Sequence, residues 1–466
     1  MKITTIPQVY RNVNRWGEIL TILSKYGLAD GISRFDLSFA RGFLKSPDGA
    51  VLSGLNRESR IRLALEELGP AFIKLGQILS TRPDQVGLEL ATELQKLQTG
   101  VPADDAKLVR NRIERELDQT IDELFEEFDD TPIASASIGQ VHRARLRNGD
   151  VVAVKVQHVG IEDRVSVDMD ILMGLAQFAE RVPEFAPYRP HATANEFQRV
   201  LRRELYFSRE ARHLEQFATN FDDNPHVRIP RLYPKLSTSR VLTMEWLEGV
   251  KIADLEQSQP SGEGLSDVAR HVAEMYLAMI FRHGLYHGDP HPGNLLLLHE
   301  GTIGLLDFGM VCRLDETLRV GFEDVFLAIV AQDAQQLTSL VMRVGAAPPD
   351  LDEAAFKVDV SDFVAHYGNQ PLDSFDLAGA LNEMIEIIQR YRIVLPSGVA
   401  LLLKVLIMLE GTIQRFEPHF SLMELIEPYQ QSMLMRRMSP SRHFKKMRRI
   451  AYEMEQIEVV MPRGLS

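Results

Sequence analysis

Residues 286–309 read YHGDPHPGNLLLLHEGTIGLLDFG, and this stretch decides the fold. Asp289 is followed five residues later by Asn294, and a second aspartate, Asp307, opens the sequence Asp-Phe-Gly. Phosphoryl transfer needs a carboxylate near the attacking oxygen and oxygen ligands for Mg²⁺. The two short apolar runs between Asn294 and Asp307 predict a hairpin that brings these side chains face to face. We therefore predict that Asp289 and Asn294 are catalytic and that Asn294 and Asp307 bind the metal.

A lysine upstream fits the same chemistry. The sequence VAVK at 152–155 follows a predicted hairpin turn and predicts a buried strand that ends in Lys155. Because such a lysine must reach solvent or meet a negative charge, nucleotide phosphates are a suitable partner. A predicted helix over 200–217 carries Glu204 and Glu210, and a glutamate on this helix is suited to pair with Lys155. We predict that Lys155 is catalytic.

The segment between the first two predicted strands is a candidate phosphate loop. It reads IASASIGQV over 133–141, where many kinases have a glycine-rich turn. Alanine restricts the backbone relative to glycine, so we expect a stiffer loop whose amides still approach phosphate. The predicted ATP-binding residues are this loop, the lysine and its partner, and two residues near the end of a strand expected over 240–246: Ile133, Ala134, Ser135, Ala136, Ser137, Ile138, Gly139, Gln140, Val141, Lys155, Glu210, Glu245 and Leu247.

Three histidines allow a competing interpretation as a zinc site. His283, His287 and His291 recur every four residues. However, Pro290 and Pro292 would break a helix that aligned them, and the hard Mg²⁺ ion prefers the nearby carboxylates. We expect the histidines to hold the loop by hydrogen bonds instead.

Composition excludes several classes of protein. The chain has 466 residues, of which 45% are hydrophobic and 25% charged, so a folded enzyme is expected rather than a disordered chain. A net charge of −13 opposes general binding to nucleic acid. Cys312 is the only cysteine, which excludes an intramolecular disulfide and fits a reducing compartment. The N-terminus shows no signal-peptide pattern, and the apolar run 393–409 contains Pro396 and Lys404, so we expect a cytoplasmic, bacterial protein with a buried helix there.

Together these motifs resemble the UbiB family of atypical kinase-like proteins over most of the chain. The most family-specific mark is Lys74-Leu75-Gly76-Gln77, on a predicted helical N-terminal extension. The resemblance implies an α+β, two-lobed protein-kinase-like fold with that extension and a mostly helical C-lobe. We expect the extension over 1–128, an N-lobe with inserted helices over 129–248, the C-lobe over 249–435 and a basic amphipathic segment over 436–466.

The resemblance also implies roles for individual residues. In the family the extension lies over the active site, where the lysine of the motif reaches a glutamate that corresponds to Glu204, while Glu210 pairs with Lys155. Lys74, Gly76, Gln77 and Glu204 are therefore expected to be regulatory. The family usually has an aspartate at the position of Tyr206, which offers no carboxylate.

The implied function is that of an ATPase or atypical kinase that uses ATP and Mg²⁺ and supports ubiquinone biosynthesis at the cytoplasmic face of the inner membrane. Expected partners are ATP, prenyl-quinone intermediates or anionic lipids, and other quinone-biosynthesis proteins. A small-molecule kinase of the aminoglycoside or choline phosphotransferase type is the alternative, although that class lacks the motif at 74–77. A nucleotide-binding scaffold is disfavoured by the complete set of catalytic residues. A conventional protein kinase is disfavoured because no Ala-Pro-Glu follows Gly309.

The C-terminal segment has a separate pattern. Apolar Phe444, Met447 and Ile450 recur three apart, as on one face of a helix that lies in a membrane surface. The basic residues interleaved with them are Arg436, Arg437, Arg442, Lys445, Lys446, Arg448 and Arg449. A solvated terminal helix that packs on the C-lobe is the alternative.

Overall fold

An antiparallel sheet forms the N-lobe. The computed structural model describes residues 13–28, 54–97, 101–182, 189–255, 263–371, 375–417, 420, 422–426 and 429. The sheet has the strand order β1-β3-β4-β6, and β2 also pairs with β3. Its strands are β1 Phe125–Phe128, β2 Ala134–Ser135, β3 Gly139–Leu146, β4 Val151–Gln157 and β6 Val241–Glu245. Strand β4 is central and almost fully buried, because it consists mainly of β-branched valines between two partner strands.

Helices precede this sheet and interrupt it between β4 and β6. The helices before it are α1 Val13–Lys25, α2 Arg57–Leu68, α3 Pro70–Leu79, α4 Pro83–Val86, α5 Leu88–Leu94, α6 Ala106–Leu117 and α7 Ile121–Leu124. The inserted helices are α8 Ile161–Ala179, α9 Pro190–Glu204 and α10 Phe207–Asn220. Helices α1, α2 and α3 share one apolar core with α8 and α9, so the extension packs on the insertion.

The C-lobe is mainly helical. Its helices are α11 Glu263–Leu277, α12 Glu316–Val330, α13 Ala334–Val344, α14 Glu353–Tyr367, α15 Leu377–Arg390 and α16 Ser397–Phe416. Two small sheets are formed by short strands. In one, β5 Val227–Arg228, β7 Val250–Lys251, β9 Leu295–Leu297 and β10 Ile303–Leu305 pair, and β5 with β10 links the two lobes; in the other, β8 Leu285–His287 pairs with β11 Val311–Arg313. Helix α16 is buried at the centre of the largest apolar core.

The described elements agree with the expected two-lobed α+β architecture, with three local differences. Strand β1 pairs with β3 of the sheet although it precedes residue 129, where the N-lobe is expected to begin. The helix expected over 200–217 is two helices that meet at Leu205-Tyr206. The helix expected over 393–409 begins at Ser397. The basic segment at 436–466 lies outside the described residues.

Candidate nucleotide-binding and catalytic site

Lys155 lies near the end of β4 in a cluster of three charges. Its Nζ is 2.7 Å from Glu210 Oε1, on α10, and 3.5 Å from Asp307 Oδ1. Burial opposes the charged lysine, but Asp307 and Glu210 together raise the pKa of Lys155 above its ordinary value. Lys155 in turn is the main reason that the pKa of Asp307 lies well below its usual range. The ammonium is therefore held charged and oriented by Glu210.

Asp307 follows β10 in a left-handed backbone conformation, with φ of 54°. Its Oδ1 accepts a hydrogen bond of 3.0 Å from the Gly309 amide, which fixes the turn after the strand. Phe308 is fully buried between the lobes, where its ring lies 5.6 Å from that of Phe217. Because Phe308 anchors the turn, the Asp307 carboxylate remains at the surface of the cleft, with 54% of its side chain exposed.

The loop after β8 is ordered by His287. Its Nε2 lies 2.5 Å from the Asp307 carbonyl oxygen, and its Nδ1 accepts a hydrogen bond of 3.2 Å from the Asp289 amide. This pattern requires the tautomer with the proton on Nε2. The Asn294 side chain donates to Asp289 Oδ2 at 2.9 Å, and His291 accepts from the Gly293 amide. The expectation that the three histidines hold the loop by hydrogen bonds is confirmed for His287 and His291, whereas the ring of His283 lies 5.3 Å from that of Phe221.

Close packing explains the glycine before the candidate catalytic aspartate. A Cβ at Gly288 would lie 2.9 Å from both Leu401 Cδ2 and Met310 Cγ. Helix α16 therefore lies directly against the loop, and Tyr286 ties the two together by donating to the Gly398 carbonyl oxygen at 2.9 Å.

Hydrogen bonds hold the candidate phosphate loop in place. The Ala136 amide bonds to the Gly139 carbonyl oxygen, and His158 Nε2 lies 2.9 Å from the Ala136 carbonyl oxygen. Gly139 is required because a Cβ there would lie 2.5 Å from the backbone oxygen of Val156. The Gln140 side chain is buried and bonded to the Asp104 amide and His142, so it holds the loop rather than pointing to the cleft. Exposed positions of the loop include Ile133 and Ala134.

Glu245 and Leu247 lie where the chain leaves the N-lobe sheet. The Glu245 carboxylate accepts hydrogen bonds from the Arg228 side chain and the Arg231 amide, and these contacts stabilise the end of β6. Leu247 is buried beside Gly304 of β10.

The extension contacts the N-lobe through the motif on α3. Lys74 Nζ is 2.7 Å from Glu204 Oε2, and this contact forms with an exposed Tyr206 two residues later. A Cβ at Gly76 would lie 2.2 Å from Leu97 Cδ1, so this glycine lets α3 pack closely. The backbone carbonyl oxygen of Gln77 accepts a hydrogen bond of 2.6 Å from the Ser80 hydroxyl.

The sequence analysis missed a second set of contacts, between the extension and the C-lobe. Arg82 donates to Asp84 and to the Leu395 carbonyl oxygen, and the Leu395 amide donates back to Asp84 at 3.2 Å. The Ser80 hydroxyl lies 3.3 Å from Lys404 Nζ on α16. The Arg-x-Asp sequence at 82–84, shortly after the lysine motif, could have indicated a buried ion pair. Its partner in the C-lobe, Leu395, lies more than 300 residues away in the sequence.

The oxygen atoms at the cleft fit Mg²⁺ bound mainly through phosphates and water. Within the described ranges, no group of three or more His, Cys, Asp or Glu side chains is arranged to hold a metal ion. Mg²⁺ commonly uses one or two protein oxygens and completes its shell with water and substrate phosphates. Asp307 offers a half-exposed carboxylate, and the Asn294 amide oxygen has no hydrogen-bond partner in the described part of the chain.

Comparison with known proteins agrees with this architecture. Residues 96–341 match the model of the ABC1 atypical kinase-like domain, and residues 360–421 match the UbiB helical domain. A protein named probable protein kinase UbiB from Shewanella woodyi is 33% identical over 388 residues, covering 82% of this chain and 70% of its own length. An uncharacterized protein from Clostridium pasteurianum is 33% identical over 90% of this chain and 76% of its own length.

A solved structure supports the fold. The complex of Rv3197 with erythromycin from Mycobacterium tuberculosis superposes with a TM-score of 0.54 at 26% identity, covering 76% of this chain and 90% of that one. The expected kinase-like, two-lobed fold is thus confirmed. With its ABC1 kinase-like domain and UbiB helical domain, the chain belongs to the UbiB family of atypical kinase-like proteins.

Proposed function

We propose that this chain binds Mg-ATP between its lobes and hydrolyses or transfers the γ-phosphoryl group in support of prenyl-quinone assembly at the cytoplasmic face of the inner membrane. The observation that carries the proposal is the Lys155 cluster, in which one ammonium lies between Glu210 and Asp307. This arrangement fixes the position of the ammonium at the cleft, where it is suited to contact nucleotide phosphates. The quinone part rests on the family resemblance.

The residues divide the chemistry between them. Glu210 orients Lys155 toward the phosphates, and Asp307 with Asn294 would hold Mg²⁺, which would neutralise charge on the phosphate oxygens. The Asn294 side chain donates a hydrogen bond to Oδ2 of Asp289, while Oδ1 of Asp289 has no hydrogen-bond partner among the described residues. That oxygen is suited to accept a proton from water or an acceptor hydroxyl.

The test is phosphate release from Mg-ATP by the purified chain, alone, with anionic liposomes, and with a phenolic quinone precursor. We expect turnover that rises with liposomes and phenol together. No turnover under any condition would refute phosphoryl transfer. Turnover stimulated only by a soluble aminoglycoside or choline would instead favour the small-molecule kinase.

A further inference from the structure

Three lysines around the candidate site are largely buried, and one differs from the other two. Lys74 and Lys155 each lie 2.7 Å from a glutamate oxygen. Lys404, with 8% of its surface exposed, has only the Ser80 hydroxyl at 3.3 Å and no carboxylate within ion-pair distance in the described part of the chain. Burial of an ammonium without a counter-ion costs several kcal/mol. An ammonium also has three donors, and Lys404 uses one of them.

Lys404 lies on the helix that packs against the loop before Asp289. Leu401, one turn earlier on α16, packs against Gly288, which precedes the candidate catalytic aspartate. Residues three apart share a helix face, so Lys404 lies on the same side. The charge of Asp289 favours the ammonium of Lys404, and the charge of Lys74 opposes it. Burial lowers the pKa of Lys404, and the partial attraction of Asp289 does not cancel this effect.

The catalytic loop itself offers no cation. Residues 289–294 read DPHPGN, without lysine or arginine. Lys155 and Lys74 are already neutralised by glutamates, so a negatively charged acceptor would be repelled by Asp289 unless another cation received it. Lys404 is the described cation near Asp289 that lacks a carboxylate partner.

We propose that Lys404 is the anion-binding residue of the acceptor site, and that the acceptor is a hydroxyl compound that also carries a carboxylate or phosphate. This inference rests on the phosphoryl transfer proposed above. The anion would take the place of the Ser80 hydroxyl at the ammonium. The acceptor hydroxyl would then lie on the Asp289 side.

Binding of matched probes tests the proposal without requiring turnover. Isothermal titration compares 4-hydroxybenzoate with its neutral amide, and glycerol 3-phosphate with glycerol, so that carboxylate and phosphate are distinguished. We expect at least one anion to bind about tenfold or more tightly than its neutral partner, which corresponds to about 1.4 kcal/mol. Lys404→Met should abolish this preference, Lys404→Arg should restore it in part, and the exposed control Lys235→Met should retain it.

The outcomes separate this inference from the proposed function. Equal affinity for charged and neutral probes, no binding of any probe, or a preference that survives in Lys404→Met would overturn the anion site. ATP turnover of the parent chain is measured in parallel, so its absence would refute phosphoryl transfer while the binding data still decide the role of Lys404. Near-ultraviolet circular dichroism confirms that each variant is folded. Methionine is close to lysine in length and suits a buried helical position.

Discussion

At the scale of single residues, the site is a set of charges whose partners decide their roles. Lys155 and Asp307 each stabilise the ionised form of the other across the cleft. Because the side chain of Asp307 is half exposed and that of Lys155 largely buried, the aspartate is the more accessible of the two to a metal and its water.

We expect Asp307→Asn to reduce Mg-ATP turnover by about 100-fold or more and to weaken Mg²⁺-dependent nucleotide binding, because the amide lacks the charge that neutralises the metal. Phosphate release and isothermal titration measure the two effects. The matched control is Asp222→Asn, at an exposed position in the turn after α10. Unchanged affinity and turnover in Asp307→Asn would remove the metal assignment.

A second residue, Glu410, makes stability depend on pH. It is 1% exposed on α16, and burial raises its pKa from 4.5 to about 7, although backbone amides at the start of α15 partly oppose this. Between these pH values the unfolded chain releases the proton while the folded chain keeps it, so this residue makes stability fall as pH rises. Below and above that window its contribution is constant.

We therefore expect the free energy of unfolding of the parent chain to fall by about 1–3 kcal/mol between pH 4.5 and 7 because of Glu410. Glu410→Gln should remove this fall. The midpoint of thermal unfolding, followed across this range for parent and variant, measures the difference. Parallel pH profiles for the two proteins would show that Glu410 has an ordinary pKa.

At the scale of elements, the loop and the extension are both held by contacts remote in sequence. The alanine-rich loop is fixed by His158 and, through Gln140, by Asp104. Helix α3 is fixed to α9 by Lys74 and Glu204, and the turn after it is fixed to the C-lobe by Arg82 and Asp84. Stiffness is thus built into each element by its neighbours.

We predict that Ala134→Gly or Ala136→Gly changes nucleotide affinity by about two- to fivefold or permits self-phosphorylation, because glycine releases about 0.5–1 kcal/mol of backbone restraint. Titration with ATP and other nucleotides, and mass spectrometry after incubation with ATP, check the two outcomes. If both variants match the parent in each assay, the segment is an ordinary turn.

The buried Arg82–Asp84 pair provides a test of the extension. The Asp84 side chain is fully buried, and Asp84→Asn leaves Arg82 with only the more exposed carboxylate of Glu196, at 3.9 Å. We therefore expect the local stability of α3 and α4 to fall by about 3 kcal/mol. Hydrogen exchange of these helices measures the change. The exposed pair of Arg145 and Glu127 is the control, since Glu127→Gln should cost less than about 1 kcal/mol. Equal protection in Asp84→Asn and parent would show that this pair does not hold the extension.

At the scale of the whole molecule, the extension joins the two lobes. Lys74 contacts a helix inserted in the N-lobe, and Arg82 contacts the chain just before α16. Among the described residues, α16 is the one helix long and apolar enough to cross a membrane, but 61% of its apolar window is buried inside the protein. Its position in the core, against the loop that carries Asp289, accounts for that apolar character.

The interleaved basic and apolar residues of the C-terminal segment predict membrane contact there. We expect salt-sensitive binding to anionic liposomes, lost when Lys445, Lys446, Arg448 and Arg449 are changed to glutamine, because each basic side chain contributes about 1 kcal/mol near an anionic surface. Co-sedimentation at low and high salt measures the binding. Equal sedimentation of parent and variant at low salt would remove this segment from the account.

The sequence by itself determined the loop that carries Asp289 and Asn294, the Asp-Phe-Gly turn and the strand that ends near Lys155, since hydrophobic periodicity and turn residues act over a few neighbouring positions. The two-lobed fold was implied by the resemblance to the family. From the residues alone, the glutamate that pairs with Lys155 stayed open. The break at Leu205-Tyr206 decides it, because it puts Glu204 and Glu210 on separate helices. Tertiary structure also decided the contacts of Arg82 with Leu395 and of Lys404 with Ser80, which join residues 313 and 324 positions apart. Such contacts arise from the packing of whole helices, and no local pattern encodes them.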